Sequence, residues 1–173
     1  MRHFFTITSC MAFLLPLFLS CSGTAPANEA EVIATSGTGV FNSAVFSDIE
    51  GKDWLLSEVI SPGNNVNIDR NKYEANFMGA YFSISFREGQ VGGIGAPNRY
   101  FGPYTLEGSN GLRFGNVAST LMAAFIVPEE LTEREYFAYL SGVTRWDLVD
   151  GKLRLHGINK DESEAILVFM TKN

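Results

Sequence analysis

The chain has 173 residues, of which 46% are hydrophobic and 13% aromatic, enough for one domain of ordinary size with a substantial core. Its 13 basic and 19 acidic side chains give a net charge of −6, which argues against nucleic acid as a partner and against electrostatic attachment to anionic lipid. Cysteine occurs only at positions 10 and 21, so the body of the chain is without a disulfide framework, a Cys nucleophile or a thiolate metal site.

The N-terminus comes first in chain order. "MRHFFTITSCMAFLLPLFLSC" opens on Arg2 and His3 and then runs almost uninterrupted apolar from Phe4 to Leu19. A charged n-region followed by a short apolar h-region is a signal peptide, too short for a membrane span; it is expected over residues 1–20. It ends Phe18-Leu19-Ser20-Cys21, which resembles the lipobox of bacterial lipoproteins, although Phe18 stands where Leu is usual. That resemblance implies cleavage before Cys21, acylation (palmitate among the chains) and a bacterial cell-envelope location outside the cytoplasm. The alternative is secretion as a soluble or periplasmic protein after cleavage at Ala25-Pro26-Ala27. Removing Arg2 with the signal leaves 12 basic and 19 acidic side chains, net −7. Residues 21–43, "CSGTAPANEAEVIATSGTGVFNS", are small and polar with little periodicity, and are expected to form a lipidated N-terminus and a flexible tether. The domain is expected over residues 44–173.

From there the chain reads as hairpins. "DWLLSEV" predicts an early strand, and "VNID" a weaker one on the outside of the sheet. In "YFSISFREGQVGGIGA" a turn at Glu88-Gly89 sets Phe86 opposite Val91, Ile84 opposite Gly93 and Phe82 opposite Gly95, leaving room above the glycines for rings. In "YTLEGSNGLRF" an odd-length loop is required to align Leu106 with Leu112 and Tyr104 with Phe114. "LTEREYFAYLSG" predicts the one helix: Thr132 and Glu135 match a capping box, and Leu131 and Tyr136 the accompanying hydrophobic staple. In "WDLVDGKLRLH", Asp150-Gly151 predicts a type I′ turn pairing Leu148 with Leu153, Trp146 with Leu155 and Asp147 with Arg154. "AILVFMTK" is the last strand. One helix against an antiparallel meander makes the fold class α+β, mostly β.

The same chain offers several candidate chemistries. The stretch 92–104, "GGIGAPNRYFGPY", lacks the third glycine of a dinucleotide loop, Pro97 removes a backbone donor, and no helix follows. A sheet corner accounts for its glycines. His156, the single histidine outside the signal segment, falls on the polar face beside Arg145 and reads as an exposed strand residue rather than a catalytic base. "NNVNIDRN" has Arg70 and Asn76 where a calcium loop needs Gly and Glu, and a lone histidine cannot make a zinc site. Glu129, Glu130, Glu133 and Glu135 sit where a helix dipole favours negative charge. No catalytic residue, cofactor site or metal site is expected.

"EGKDWLLSEV", "GAPNRYFGPYTLEG", "ASTLMAAF", the helix and "LVDGKLRLHG" follow one another as in the META domain (HslJ-like) family, which this chain resembles over about three quarters of its length. Two motifs of that family, G-C-N-R-Y-x-G-x-Y and T-x-M-A-C, resemble residues 96–104 and 120–124 here. The resemblance therefore implies structural signature positions at Asn98, Arg99, Tyr100, Gly102, Tyr104, Thr120, Met122 and Ala123, and at Trp54 in "EGKDWLLSEV". Pro97 and Ala124 replace both motif cysteines, as expected if those cysteines approach each other in the family. The resemblance implies a meander curled into a half-barrel with one helix packed on it, and 98–100 as a corner. It brings no catalytic residues. The expected function is that of a non-catalytic envelope lipoprotein, held to the membrane by its lipid and supporting or binding an envelope partner. The alternative is a small-molecule binder whose concave face is lined by Trp54, Phe82 and Tyr104.

Overall fold

The computed structural model describes residues 44–172. A single 3-10 turn, Phe46–Asp48, leads into β1 (Asp53–Ile60) and the two-residue β2 (Val66–Asn67). A six-residue helix α1 (Arg70–Ala75) follows, then β3 (Ser83–Arg87), β4 (Gln90–Ile94), β5 (Arg99–Glu107), β6 (Gly111–Phe114) and the short β7 (Ala118–Ser119). Helix α2 (Glu133–Ser141) precedes β8 (Val143–Val149), β9 (Lys152–Ile158) and β10 (Glu164–Thr171).

The three local turns set the registers read from the sequence. Asp150 and Gly151 have φ of 52° and 71°, the positive pair a type I′ turn demands, and Leu148, Trp146 and Asp147 face Leu153, Leu155 and Arg154. Phe86 faces Val91 and Ile84 faces Gly93; Phe82 N–H donates to Gly95 C=O at 3.0 Å just beyond the strand. Tyr104–Phe114 and Leu106–Leu112 pair across a loop of three residues, 108–110.

The half-barrel is corrected to a closed barrel. The last strand returns to the first: β10 pairs antiparallel with β1 from Trp54↔Thr171 to Ile60↔Ile166. Eight strands thus form a ring in the order β1-β3-β4-β5-β6-β8-β9-β10, with β2 added at β1 and β7 at β5. A bulge in β1 between Leu56 and Glu58 tightens the local twist that closure needs. The Ser57 hydroxyl donates there to Val168 C=O at 3.0 Å. Closure also removes the concave face: it becomes the core, with Trp54 and Phe82 1% and 0% exposed.

Aromatic rings fill both halves of that core. Phe46 packs on Phe86, Tyr104 and Trp146 at 5.2–5.4 Å between centroids, while Phe82 packs on Tyr73 and Tyr136 at 6.2 and 5.2 Å. The expected single helix is joined by α1. Asp69 caps it, accepting from the N–H groups of Asn71 and Lys72, so the carboxylate considered for a cation instead starts a helix. The "VNID" strand is accordingly cut to two residues. Helix α2 begins as its sequence predicts, with Thr132 and Glu135 reciprocally bonded and Leu131 and Tyr136 buried. Among the described residues no helix is long and apolar enough to cross a membrane.

Candidate functional site

Residues 95–98 turn the chain from β4 into β5, and the peptide before Pro97 is cis. The backbone N–H groups of Ala96 and Asn98 converge on one point, where a carboxylate oxygen lies 2.6 and 2.7 Å away. The turn does cradle an anion, and the anion is the protein's own Glu133, the first residue of α2. Its second oxygen accepts from Asn98 Nδ2 at 2.7 Å. The helix dipole is a sufficient local reason for Glu133; its bonds are tertiary, and nothing local in the sequence marks them.

Asn98 is 6% exposed and bonds in two directions. Toward α2 it donates; toward the segment after β7 its Oδ1 accepts from Thr120 Oγ1 at 3.0 Å and from Met122 N–H at 2.6 Å. Thr120 Oγ1 in turn accepts from Arg99 N–H at 3.1 Å. The two signature segments, 96–104 and 120–124, therefore meet at Asn98. The segments that carry Pro97 and Ala124 are joined by hydrogen bonds through an amide side chain.

Of the remaining signature positions, Tyr100 and Gly102 extend from the same corner, while Tyr104 and Trp54 bond near the start of the domain. Tyr100 runs inward beneath β3; its hydroxyl donates to Ser83 C=O at 2.9 Å and lies 3.0 Å from the Tyr136 hydroxyl. Gly102 lies under Asn116 and Val117, where a Cβ would come within 2.9 Å of Asn116 O. Tyr104 donates to Glu50 at 3.0 Å, and Trp54 Nε1–H donates to Ile49 C=O at 3.0 Å. Arg99, Met122 and Ala123 are exposed. A partly buried cation, Arg70, has no local signal in the sequence: its guanidinium donates to the carbonyls of Leu56, Tyr81 and Gly79 and lies over the Tyr73 ring at 5.1 Å. Burial lowers its pKa.

His156 is buried, 6% exposed, which corrects the exposed strand histidine. The register beside Arg145 holds, but the neighbouring carboxylates fold over the ring. Nε2 lies 2.8 Å from Asp147 Oδ2 and Nδ1 3.5 Å from Glu164 Oε1, and Arg145 bridges to the same two acids. The ring belongs to an outer-face ion cluster. Among the described residues no three His, Cys, Asp or Glu side chains gather to hold a metal ion.

Burial raises the pKa of four tyrosine hydroxyls: Tyr104 is pushed up to about 12, and Tyr73, Tyr100 and Tyr136 are also driven upward. An unfolded tyrosine ionises near about 10. Above that pH the unfolded chain has released protons that the folded chain keeps. Stability is therefore complete below pH ~10 and declines as pH rises toward the folded values. In an alkaline titration, phenolate absorbance from these residues should rise together with loss of the far-ultraviolet β signal. Ionisation of all tyrosines near pH 10 with the fold intact would contradict this.

One feature beside the corner stands apart from the core. Residues 121–127, Leu-Met-Ala-Ala-Phe-Ile-Val, are all apolar and all exposed, Leu121 and Phe125 almost completely (97% and 101%). No charged side chain occurs from Phe114 to Pro128. The knot at Asn98 holds one end of this segment, and buried Pro128 and Leu131 hold the other.

The closed antiparallel barrel with this corner defines a class of small β-barrel domains, and comparison with known proteins identifies the family. The META domain matches residues 47–173, and the chain belongs to the META domain family. No curated protein matches it. A protein from Burkholderia xenovorans, solved by NMR, is similar in fold: the TM-score is 0.56 at 19% identity, over 92% of this chain and 99% of that one.

Proposed function

We propose that this protein is a bacterial envelope lipoprotein, acylated at Cys21 and tethered through residues 22–43, whose META domain is a non-catalytic docking module. One observation carries the docking role: polar side chains at the corner, the signature positions Asn98 and Thr120 among them, are engaged in internal hydrogen bonds that hold an uncharged apolar segment outward. Asn98, Thr120 and Glu133 bond one another and the backbone, while Leu121 and Phe125 face solvent. A catalytic site presents polar groups toward a substrate; here Asn98, Thr120 and Glu133 turn theirs inward, and the segment beside them presents hydrocarbon. The lipid anchor is supported by the n-region, the h-region and the Leu19-Ser20-Cys21 ending, all of which lie outside the described residues.

The test is a Cys21→Ala variant followed by metabolic labelling with a clickable fatty acid and by cell fractionation. Wild type should carry label and sediment with membranes; the variant should carry none. Label retained on the variant would overturn the anchor at Cys21.

A further inference from the structure

We propose that segment 121–127 is a second membrane contact, a shallow wedge whose side chains enter the surface of a phospholipid bilayer. The proposal rests on the lipoprotein reading, which supplies the nearby membrane. In a half-buried strand or helix, part of a seven-residue apolar run would face the core. Here none of the seven does, so core packing does not explain their chemistry. Exposed apolar patches of this kind mark interaction sites in soluble proteins.

Hydrocarbon fits the segment better than a protein surface does. Protein interfaces carry about one hydrogen bond per 100–200 Å2 within and around their apolar centre, and residues 121–127 include no side chain able to make one. A bilayer asks for none. The net charge of −6 and the absence of a basic residue between Arg113 and Arg134 exclude electrostatic recruitment by anionic headgroups, so insertion should proceed on zwitterionic lipid and be insensitive to salt. Depth is limited by the backbone: outside a helix or closed sheet, peptide groups must stay hydrated, which places the segment at the headgroup–acyl boundary.

Tether length makes the contact reachable. On the reading that residues 22–43 form a flexible link, 22 residues have a root-mean-square span of roughly 25 Å. The domain is then confined near the bilayer at high effective concentration, and a weak insertion becomes populated. Anchoring by two hydrophobic signals is also more stable than by one.

The experiment uses the full acylated chain carrying Phe125→Cys, the one thiol left free when residues 1–20 are removed and Cys21 is acylated. An environment-sensitive fluorophore is attached, and the protein is reconstituted on phosphatidylcholine vesicles containing nitroxide-labelled lipid. Lys152→Cys, beside the Asp150-Gly151 turn, is the control. The probe at position 125 should shift to the blue, be quenched by lipid nitroxide and be shielded from aqueous iodide; the probe at 152 should do none of these. Leu121→Ser with Phe125→Ser, in a Cys21→Ala background, should weaken vesicle binding roughly tenfold or more with an unchanged unfolding midpoint.

A probe at 125 that stays iodide-accessible on vesicles, while fatty-acid labelling of Cys21 is intact, overturns the wedge and leaves the anchor standing. Acyl label absent from the wild-type chain, with the Cys21→Ala chain still quenched at 125, overturns the anchor and upholds the wedge. Protection at 125 that requires added envelope protein assigns the segment to a protein partner and overturns the proposal.

Discussion

Asn98→Ala is expected to lower the unfolding free energy by about 3 kcal/mol, measured by urea denaturation. The substitution removes a buried amide that bonds three groups at once: Glu133 on α2, the Thr120 hydroxyl and the Met122 N–H. A neutral hydrogen bond contributes about 0.5–1.5 kcal/mol and one to a charged group about 1.5–3, with a further cost for partners left buried and unpaired. Glu133→Ala should cost a similar amount, because it strips the acceptor from the N–H groups of Ala96 and Asn98. The two losses should not add. Both variants lose the Asn98 Nδ2–Glu133 bond, so the double variant should be less damaged than the sum by about 1 kcal/mol or more. Strict additivity would show that the Asn98 Nδ2–Glu133 bond contributes nothing. Asn98→Asp sharpens the test: it keeps an oxygen for Thr120 and Met122 but sets a carboxylate against Glu133. It should be as unstable as the Ala variant at neutral pH and recover partly in acid, where one of the two acids protonates.

The second large effect separates two adjacent glycines. Gly93→Ala is expected to destabilise by about 2–3 kcal/mol, and Gly92→Ala to change stability by less than about 1. A Cβ on Gly93 would run into the Ser83 carbonyl oxygen and come within 2.9 Å of Tyr100 Cε1; this is where the Tyr100 ring crosses β4 to reach Ser83. Neither backbone nor packed ring can give way cheaply, and overpacking of this sort costs about 1–3 kcal/mol or more. Against that stands the gain of about 0.5–1 kcal/mol from replacing a strand glycine. On Gly92 the nearest atom is Tyr100 O at 3.3 Å, so there the two terms nearly cancel. Equal effects at both sites, in thermal or urea unfolding, would refute the close-approach account.

Gly93 also illustrates what was legible in advance. The Glu88-Gly89 turn placed glycines opposite large side chains, and room for a ring above them followed from the register. That the ring is Tyr100 did not follow, because Tyr100 comes from the next strand. The same division runs through the site. The capping box at Thr132 uses residues three apart and could be read directly; its Glu135 carboxyl is held below the usual range by the Thr132 hydroxyl. Glu133, two residues earlier, had an adequate local explanation and a different tertiary occupation. Asp69 resembled part of a cation loop because helix caps and calcium loops draw on the same side chains. At His156 the face was legible and the burial was not, since the covering acids arrive from β8 and β10.

By itself the sequence determined the elements governed by neighbours: three hairpin registers, the α2 start, and a family resemblance resting on two short motifs. Turn geometry and capping act over two to five residues, so local residue choice suffices for them. The tertiary structure alone decided that the sheet closes, that Glu133 fills the corner and that residues 121–127 are left outside. Each depends on partners far apart in the chain: Trp54 pairs with Thr171, and Asn98 bonds both Met122 and Glu133. Pairings of that kind are selected by the joint packing of the whole core, and no local pattern encodes them.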